Sequence, residues 1–255
     1  MSGFQGKFVW HELMTSDPKA ATTFYASVLD WGSRDSGMPH MTYNLMSAGK
    51  IDVAGIMEIP EQARAMGARP SWIGYVAVDD VDKSAEDLKK AGGTIYKEPD
   101  DIPGVGRFAI VADPHRAAFA LFKGAGEMPE RPPADTPGLF SWNELYAGDR
   151  EADFAFYSAL FGWTKSDAID MGPAGIYQIF AHNGVAIGGM MTKPETMPMP
   201  FWTYYTNVAS VDATLETTKK SGGEICNGPM QVPGGSWIVQ ARDPQGAAFN
   251  FVGPR

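Results

Sequence analysis

The chain is poor in cysteine, since Cys226 is the only one in 255 residues. It therefore cannot form an intramolecular disulfide, and a metal site built from several thiolates is excluded. This composition fits a reducing compartment, and we expect the protein in the cytoplasm.

Positive charge is also scarce. Lys and Arg number 21 against 30 Asp and Glu, which gives a formal net charge of -9. A surface of that sign repels phosphate backbones and anionic head groups. We therefore predict no nucleic-acid partner.

Long apolar runs are missing as well. No stretch approaches the ~20 consecutive apolar residues that cross a bilayer, and the opening MSGFQGKFVWHEL lacks the apolar segment of a secretion signal. We expect no membrane association. The hydrophobic fraction of 44% is nevertheless enough for globular cores.

The chain repeats itself from end to end. The segment FVWHEL at 8–13 returns as FSWNEL at 140–145, and the match continues to the C-terminal strand. This predicts two domains, 1–123 (the first half) and 138–255 (the second half), joined by a Pro-rich linker at 124–137. Further corresponding pairs are Asp17 and Asp149, Tyr25 and Tyr157, Tyr43 and Tyr177, Gly55 and Gly189, Trp72 and Trp202, Tyr75 and Tyr205, and Asp113 and Asp243.

Each half reads as two β-α-β-β-β modules, which predicts an α+β fold. Asp17-Pro18 supplies an N-cap and a proline at N1 for the first helix, and Asp149 begins the matching helix. In the second modules, we predict helices from Asp82 to Gly92 and from Asp212 to Gly222, with lysines in the last turn.

Several of these motifs together resemble a known superfamily. They are the Trp-bearing first strand, the Asp-Pro helix start, Val-Asp-Asp-Val-Asp at 78–82 and the closing Asp-Pro-x-x-Ala-x-Phe at 113–119. The chain is similar to the glyoxalase/bleomycin-resistance/dioxygenase (vicinal oxygen chelate) superfamily, in its tandem-domain glyoxalase-like branch. This implies paired modules that form a cupped mixed sheet, a small-molecule ligand, and a monomer with pseudo-two-fold symmetry or a homodimer.

The resemblance also implies three metal-ligand positions in each half. They fall on Trp10, Ile73 and Ala120 in the first half and on Trp142, Thr203 and Asn250 in the second. None is a His, Asp, Glu or Cys, the residue types that commonly bind catalytic divalent metals. We therefore predict no metal or other cofactor, with a divalent metal at a non-standard site as the alternative.

Glu12 and Glu144 are the candidate catalytic residues. Each follows its tryptophan, Trp10 or Trp142, by two residues, so strand periodicity places both side chains on one face. A carboxyl group on an otherwise apolar strand suits a general acid or base. A structural acid that bridges two modules is the alternative.

The candidate ligand-binding residues are mostly aromatic. A tyrosine can pack its ring and still offer a hydrogen bond, although ordinary core packing explains it equally well. Arg107, whose counterpart is Trp237, could hold a ligand carboxylate, with a surface ion pair as the alternative. The full set is Trp10, Tyr43, Tyr75, Arg107, Trp142, Tyr177, Thr203, Tyr205 and Asn250.

Histidine offers no repeated signal. His11 aligns with Asn143, so a ligand role there would require an asymmetric site. His40, His115 and His182 have no His at their counterpart positions, and we expect them to be solvated.

The sequence favours a glyoxalase/bleomycin-resistance-like protein that binds or transforms a small organic molecule without the usual divalent metal. If catalytic, it would be a glyoxalase-like lyase or a dioxygenase or hydroxylase. Two alternatives stay open. One is a metal-dependent lyase or dioxygenase with a non-standard site, and the other is a resistance protein that sequesters its ligand without turnover.

Overall fold

The computed structural model of the chain describes residues 4–38, 41–126 and 132–255. His40 and residues 127–131 of the predicted linker lie outside the described residues. The first half contains β1 (Phe8–Thr15), α1 (Pro18–Leu29), β2 (Gly32–Asp35), β3 (Tyr43–Ala48), β4 (Ile51–Glu58), α2 (Glu61–Ala65), β5 (Ser71–Ala77), α3 (Val81–Lys90), β6 (Thr94–Ile102), β7 (Gly106–Ala112) and β8 (Ala118–Gly124).

The second half repeats this order, but its described residues contain no counterpart of α2, and an additional 3-10 turn lies between its second and third strands. It contains β9 (Phe140–Ala147), α4 (Arg150–Phe161), β10 (Thr164–Asp170), the 3-10 turn Gly172–Ala174, β11 (Ile176–His182), β12 (Val185–Thr192), β13 (Phe201–Asn207), α5 (Val211–Lys220), β14 (Glu224–Gln231), β15 (Trp237–Arg242) and β16 (Ala248–Gly253). Within the described residues, no helix is long and apolar enough to span a membrane.

Each half contributes one eight-stranded sheet, and the strand orders match. The orders are β2-β3-β4-β1-β5-β8-β7-β6 and β10-β11-β12-β9-β13-β16-β15-β14. β1 pairs with β4 in parallel, whereas β3 pairs with β4 antiparallel, so the sheets are mixed. This confirms the predicted α+β class and the two modules per half. The predicted modules require a strand directly after the first helix of each half, but the sequence did not locate β2 or β10.

The first helix of each half begins as predicted. The Asp17 side chain accepts the Ala20 N–H at 3.0 Å, with Pro18 at the start of the helix. Asp149 accepts the N–H groups of Glu151 and Ala152 in the same way.

The predicted starts of α3 and α5 are wrong by two residues. Asp80 and Ser210 are the N-caps, since each has extended backbone angles and its side chain accepts an N–H three residues on. Asp82 already lies in the first turn of α3, where its carboxylate pairs with Arg107. Both helices also end before Gly92 and Gly222, at a lysine.

The chain divides into two compact units. The first unit comprises Met1–Trp10, Gly74–Glu130 and Trp142–Trp202, and the second comprises His11–Ile73, Arg131–Ser141 and Thr203–Arg255. Each unit therefore combines segments of both sequence halves. The boundaries 1–123, 124–137 and 138–255 stay a prediction about the repeat.

A fully buried tyrosine organises the core of the second unit. The Trp72 Nε1–H donates to the Tyr25 hydroxyl at 2.9 Å, and that hydroxyl donates to Asp243 Oδ2 at 3.0 Å. Burial, and then the charge of Asp243, raise the pKa of Tyr25 well above its ordinary value, so the phenol stays a donor. This relay ties α1 to the turn between β15 and β16.

The first unit contains the equivalent relay. Trp202 Nε1–H donates to the Tyr157 hydroxyl at 3.0 Å, which donates to Asp113 Oδ2 at 3.0 Å. Asp113 Oδ1 also accepts the N–H groups of Ala117 and His115, at 2.8 and 3.0 Å. The Asp of each Asp-Pro turn therefore fixes both its own turn and the tyrosine of a helix from the other half.

Candidate functional site

In the first unit, a hydrogen-bonded chain of three side chains ends at Glu144. The Trp142 Nε1–H donates to the Tyr177 hydroxyl at 2.8 Å, and that hydroxyl donates to Glu144 Oε2 at 3.0 Å. Trp142 and Glu144 reach the same hydroxyl, so they lie on one face of β9, as the strand periodicity predicted. Glu144 is buried, with 6% of its surface exposed.

A glycine on the strand between them makes this contact feasible. Gly189 on β12 pairs with Glu144 on β9, and the Tyr177 ring from β11 lies over Gly189. A Cβ atom at Gly189 would lie 2.2 Å from the ring, well inside van der Waals contact. Only glycine therefore allows the tyrosine to cross β12 and reach the carboxylate.

The second unit contains the matching pair. The Tyr43 hydroxyl on β3 donates to Glu12 Oε2 on β1 at 2.9 Å. Gly55 on β4 pairs with Glu12, and a Cβ there would lie 2.0 Å from the Tyr43 hydroxyl oxygen. The repeated Glu, Tyr and Gly are therefore three parts of one arrangement, although the sequence indicated only that each was repeated.

Burial gives the Tyr177 hydroxyl a fixed role. Burial, and after it the negative charge of Glu144, raise the pKa of Tyr177 well above its ordinary value. The phenol therefore stays protonated and keeps donating to Glu144. A carboxylate oriented in this way can accept a proton or a hydrogen bond from a bound molecule.

Four polar side chains form a second candidate cluster, in the second unit. Asn250 Nδ2 donates to Thr203 Oγ1 at 2.7 Å, and Gln240 Nε2 donates to the Tyr205 hydroxyl at 3.0 Å. We call these four residues the polar row. Gln240 was not predicted, because its counterpart in the repeat is Ile110 and no motif marks it.

The corresponding face of the first unit is aromatic and apolar. The Tyr75 ring lies 6.4 Å from that of Phe108 and 6.1 Å from that of Phe122. Tyr75 and Ala120 are buried at 4% and 0% exposure. A ligand role for Tyr75 stays a prediction.

The metal-ligand positions implied by the resemblance do not fit a divalent cation. In the second half, the indole N–H of Trp142 is already donated to Tyr177, and Thr203 and Asn250 are bonded to each other. In the first half the side chains offer an indole N–H or hydrocarbon only. Across residues 4–38, 41–126 and 132–255, no group of three or more His, Cys, Asp or Glu could hold a metal ion. The three first-half positions are Trp10, Ile73 and Ala120.

Arg107 lies in an ion-pair network. Its Nε and Nη2 donate to the two oxygens of Asp82, both at 2.7 Å, and Nη1 donates to Asp101 at 3.0 Å. These acids raise the pKa of the guanidinium, and Arg107 lowers that of Asp82. The geometry matches the surface ion pair, and a ligand role stays a prediction.

The three histidines that the structure describes differ in burial. His182 was expected to be solvated but is buried, at 7% exposure, as the last residue of β11, and burial lowers its pKa. His11 is also buried and stacks on Phe140, with ring centroids 3.9 Å apart. The His115 side chain is 38% exposed and contacts Asp153.

Comparison with known proteins gives matches along the whole chain. A family model described as the Glyoxalase/Bleomycin resistance protein/Dioxygenase superfamily matches residues 7–121 and again 140–251. The protein named "Putative glyoxylase CFP32" of Mycobacterium bovis is 31% identical over 252 residues, which cover 98% of this chain and 95% of that protein. The anthracycline biosynthesis protein DauV of Streptomyces sp. strain C5 is 29% identical, covering 97% and 93%.

Solved structures share the fold at lower identity. The Mn(II)-bound glyoxalase from Novosphingobium aromaticivorans has a TM-score of 0.65 at 19% identity, covering 98% of this chain and 81% of that one. The 2,3-dioxygenase LapB from Pseudomonas sp. KL28 has a TM-score of 0.69 at 14% identity, covering 99% and 94%. With the family model matching both halves, this chain belongs to the Glyoxalase/Bleomycin resistance protein/Dioxygenase superfamily.

Proposed function

We propose that the protein binds or transforms a small organic molecule at its two buried Glu–Tyr pairs, without the divalent metal usual in its family. Glu144, and in the matching pair Glu12, would accept a proton or a hydrogen bond from the ligand. One observation carries the proposal: each carboxylate is buried and oriented by a tyrosine that crosses a glycine to reach it.

The two buried Glu–Tyr pairs suit a role in ligand binding or proton transfer better than a role in stability alone. Removing a carboxylate from water costs free energy that its contacts in the protein have to offset. The fold nevertheless retains the acid in both copies, together with the glycine that admits the tyrosine. A general base needs this combination of burial and fixed orientation.

The names of relatives support a small-molecule ligand without naming it. One relative is called a glyoxylase and another an anthracycline biosynthesis protein, and a structural neighbour is a 2,3-dioxygenase. The proposal therefore covers a lyase, a dioxygenase or hydroxylase, and a ligand-sequestering resistance protein. The cytoplasm and a monomer or homodimer stay predictions.

The test is ligand-observed NMR with a panel of phenols and hydroxylated aromatic ketones, run in a chelator. The wild type should bind members of the panel, and Glu144→Gln or Glu12→Gln should weaken that binding at least about ten-fold, or about 1.4 kcal/mol. The melting temperature should change little.

Glu195→Gln is the matched control, because it makes the same charge change at an exposed site. Equal binding by the wild type and the double variant Glu12→Gln/Glu144→Gln would refute the proposal. Loss of stability by about 1–3 kcal/mol, with binding of the folded protein unchanged, would identify both acids as structural.

A further inference from the structure

We propose that the polar row in the second half is a hydrogen-bonding subsite for a neutral ligand group that carries a hydroxyl or carbonyl oxygen. The row consists of Thr203, Tyr205, Gln240 and Asn250. This inference rests on the proposed function for the existence of a small-molecule ligand, and it adds the location and chemical class of a recognition element.

The strand register places the row on one face of the sheet. Tyr205 on β13 pairs with Asn250 on β16, and Asn250 pairs in turn with Gln240 on β15. Residues paired across adjacent strands point to the same side. Thr203 precedes Tyr205 by two residues on β13, so it lies on that side too.

The opposite face is the one packed by helices. Phe249, the residue before Asn250, has its ring 5.5 Å from that of Phe24 and 5.4 Å from that of Tyr25, both on α1. Val239, the residue before Gln240, is fully buried. Because neighbouring residues on a strand alternate in direction, the row points away from α1.

Three residues of the row are buried and Gln240 is half-buried. Thr203, Tyr205 and Asn250 are 4%, 2% and 3% exposed. An Asn side chain can make about four hydrogen bonds. Within the described part of the chain, that of Asn250 makes one, through Nδ2 to Thr203. Its Oδ1 acceptor is therefore available to a ligand hydroxyl.

The internal copy shows that the fold does not require these groups. The same β-α-β-β-β module is built in the first half with aliphatic side chains at three of the four positions. Buried amides are more costly than aliphatic side chains of similar size unless they find partners. The counterparts of Thr203, Tyr205, Gln240 and Asn250 are Ile73, Tyr75, Ile110 and Ala120.

The absence of charge within the row sets the ligand class. It has two amides and two hydroxyls, which together offer donors and acceptors but no counter-ion. A charged ligand group buried against it would lack a partner. A neutral hydroxyl or carbonyl group would satisfy the row at no such cost.

The test uses three probes of similar size in the presence of a chelator: ethylbenzene, acetophenone and 4-hydroxyacetophenone. In ligand-observed NMR titrations the wild type should bind 4-hydroxyacetophenone at least about ten-fold more tightly than ethylbenzene. Thr203→Ile/Gln240→Ile/Asn250→Ala, which installs the residues of the first half, should bind both within about two-fold.

Asn250→Ala alone is the second variant, since it removes the amide N–H donors and the amide oxygen without adding volume, and it should reduce the preference at least about three-fold. Gln231→Ile, an exposed Gln→Ile change on β14, is the control and should leave the preference intact. A wild type without preference, or a folded triple variant that keeps it, would overturn the inference.

Failure of the proposed function gives a different pattern. If the polar-row variants lose the preference while Glu12→Gln/Glu144→Gln binds normally, the subsite stands and the carboxylates are not ligand groups. If only the Glu variants lose binding, the carboxylate proposal stands and the polar row is a structural network.

Discussion

His115 Nδ1 lies 2.6 Å from Asp153 Oδ1, which joins an exposed imidazole to a fully buried carboxylate in the first unit. The other Asp153 oxygen accepts the Gly148 N–H at 3.0 Å. The pair therefore links the Asp-Pro turn before β8 to the start of α4. In the second unit the equivalent residues are Ala21 and Gln245, so only one of the two described units has the pair.

This pair makes stability depend on pH. The hydrogen bond to Asp153 raises the pKa of His115. Its stabilisation is therefore complete below the ordinary pKa of about 6.5 and is lost as pH rises through the raised value. Replacing His115 by Gln should lower stability by about 0.5–1 kcal/mol near pH 6 and by much less near pH 9, a modest effect because the ring is partly exposed.

Thermal melts of wild type and His115→Gln across this range measure the difference directly. His182, whose pKa is lowered, contributes equally to both proteins and cancels. In an Asp153→Ala background most of the pH-dependent gap should disappear, and the charges of Asp113 and Asp149 leave a smaller remainder. A gap that grows with pH would contradict the expected sign.

Asp113, another buried acid of the first unit, adds to the same trend. Burial, and then the charge of Asp153, raise the pKa of Asp113 to about 6. Its contribution also falls as pH rises through that value, so it does not oppose His115. Asp113→Asn should therefore flatten the stability curve most between about pH 4 and pH 6.

The tyrosine relays should contribute similarly to the two units. Tyr157→Phe removes the hydroxyl that accepts from Trp202 Nε1 and donates to Asp113 Oδ2. We expect this to lower the free energy of unfolding by about 1–3 kcal/mol. Tyr25→Phe should have a comparable effect. Urea unfolding measures both, with Tyr96→Phe, at an exposed site, as the control. A neutral Tyr157→Phe would show that the relay adds nothing to stability.

Gly189→Ala tests how the tyrosine reaches Glu144. The new methyl group would overlap the Tyr177 ring, so we expect destabilisation by about 1–3 kcal/mol and displacement of the ring. In a Tyr177→Ala background the same change should cost far less, which a double-mutant cycle measures. Gly126→Ala, with open space at its Cβ, is the control.

Chelator treatment tests the prediction of no required metal. The melting temperature should stay constant in EDTA, and metal analysis of untagged protein should find no stoichiometric transition metal. A fall of several degrees that Mn(II) or Zn(II) reverses would mean that a metal contributes to folding free energy, and the site would then have to be non-standard.

The repeat predicted the fold because the same strand patterns and helix starts occur at corresponding positions of both halves. It predicted Asp82 as the N-cap of α3 and missed Asp80, since an aspartate is a favourable cap at either of the two positions. Gln240 escaped notice because only its register opposite Asn250 gives it a role. The pairing of Tyr25 with Asp243 was equally hidden, since a symmetric repeat does not specify which modules share a core.

The pairing of these distant segments also affects folding during synthesis. Residues 11–73 form one compact unit with residues 203–255, so the first of these segments leaves the ribosome well before its partner exists. At about 5–20 residues per second, synthesis of the intervening residues 74–202 takes about 6 to 26 seconds. During it, the aromatic side chains around Tyr25 and Trp72 lack the strands that bury them, so nascent chains should need chaperone protection. A circular permutant that begins near residue 138 would bring the two segments much closer in synthesis and shorten that exposure.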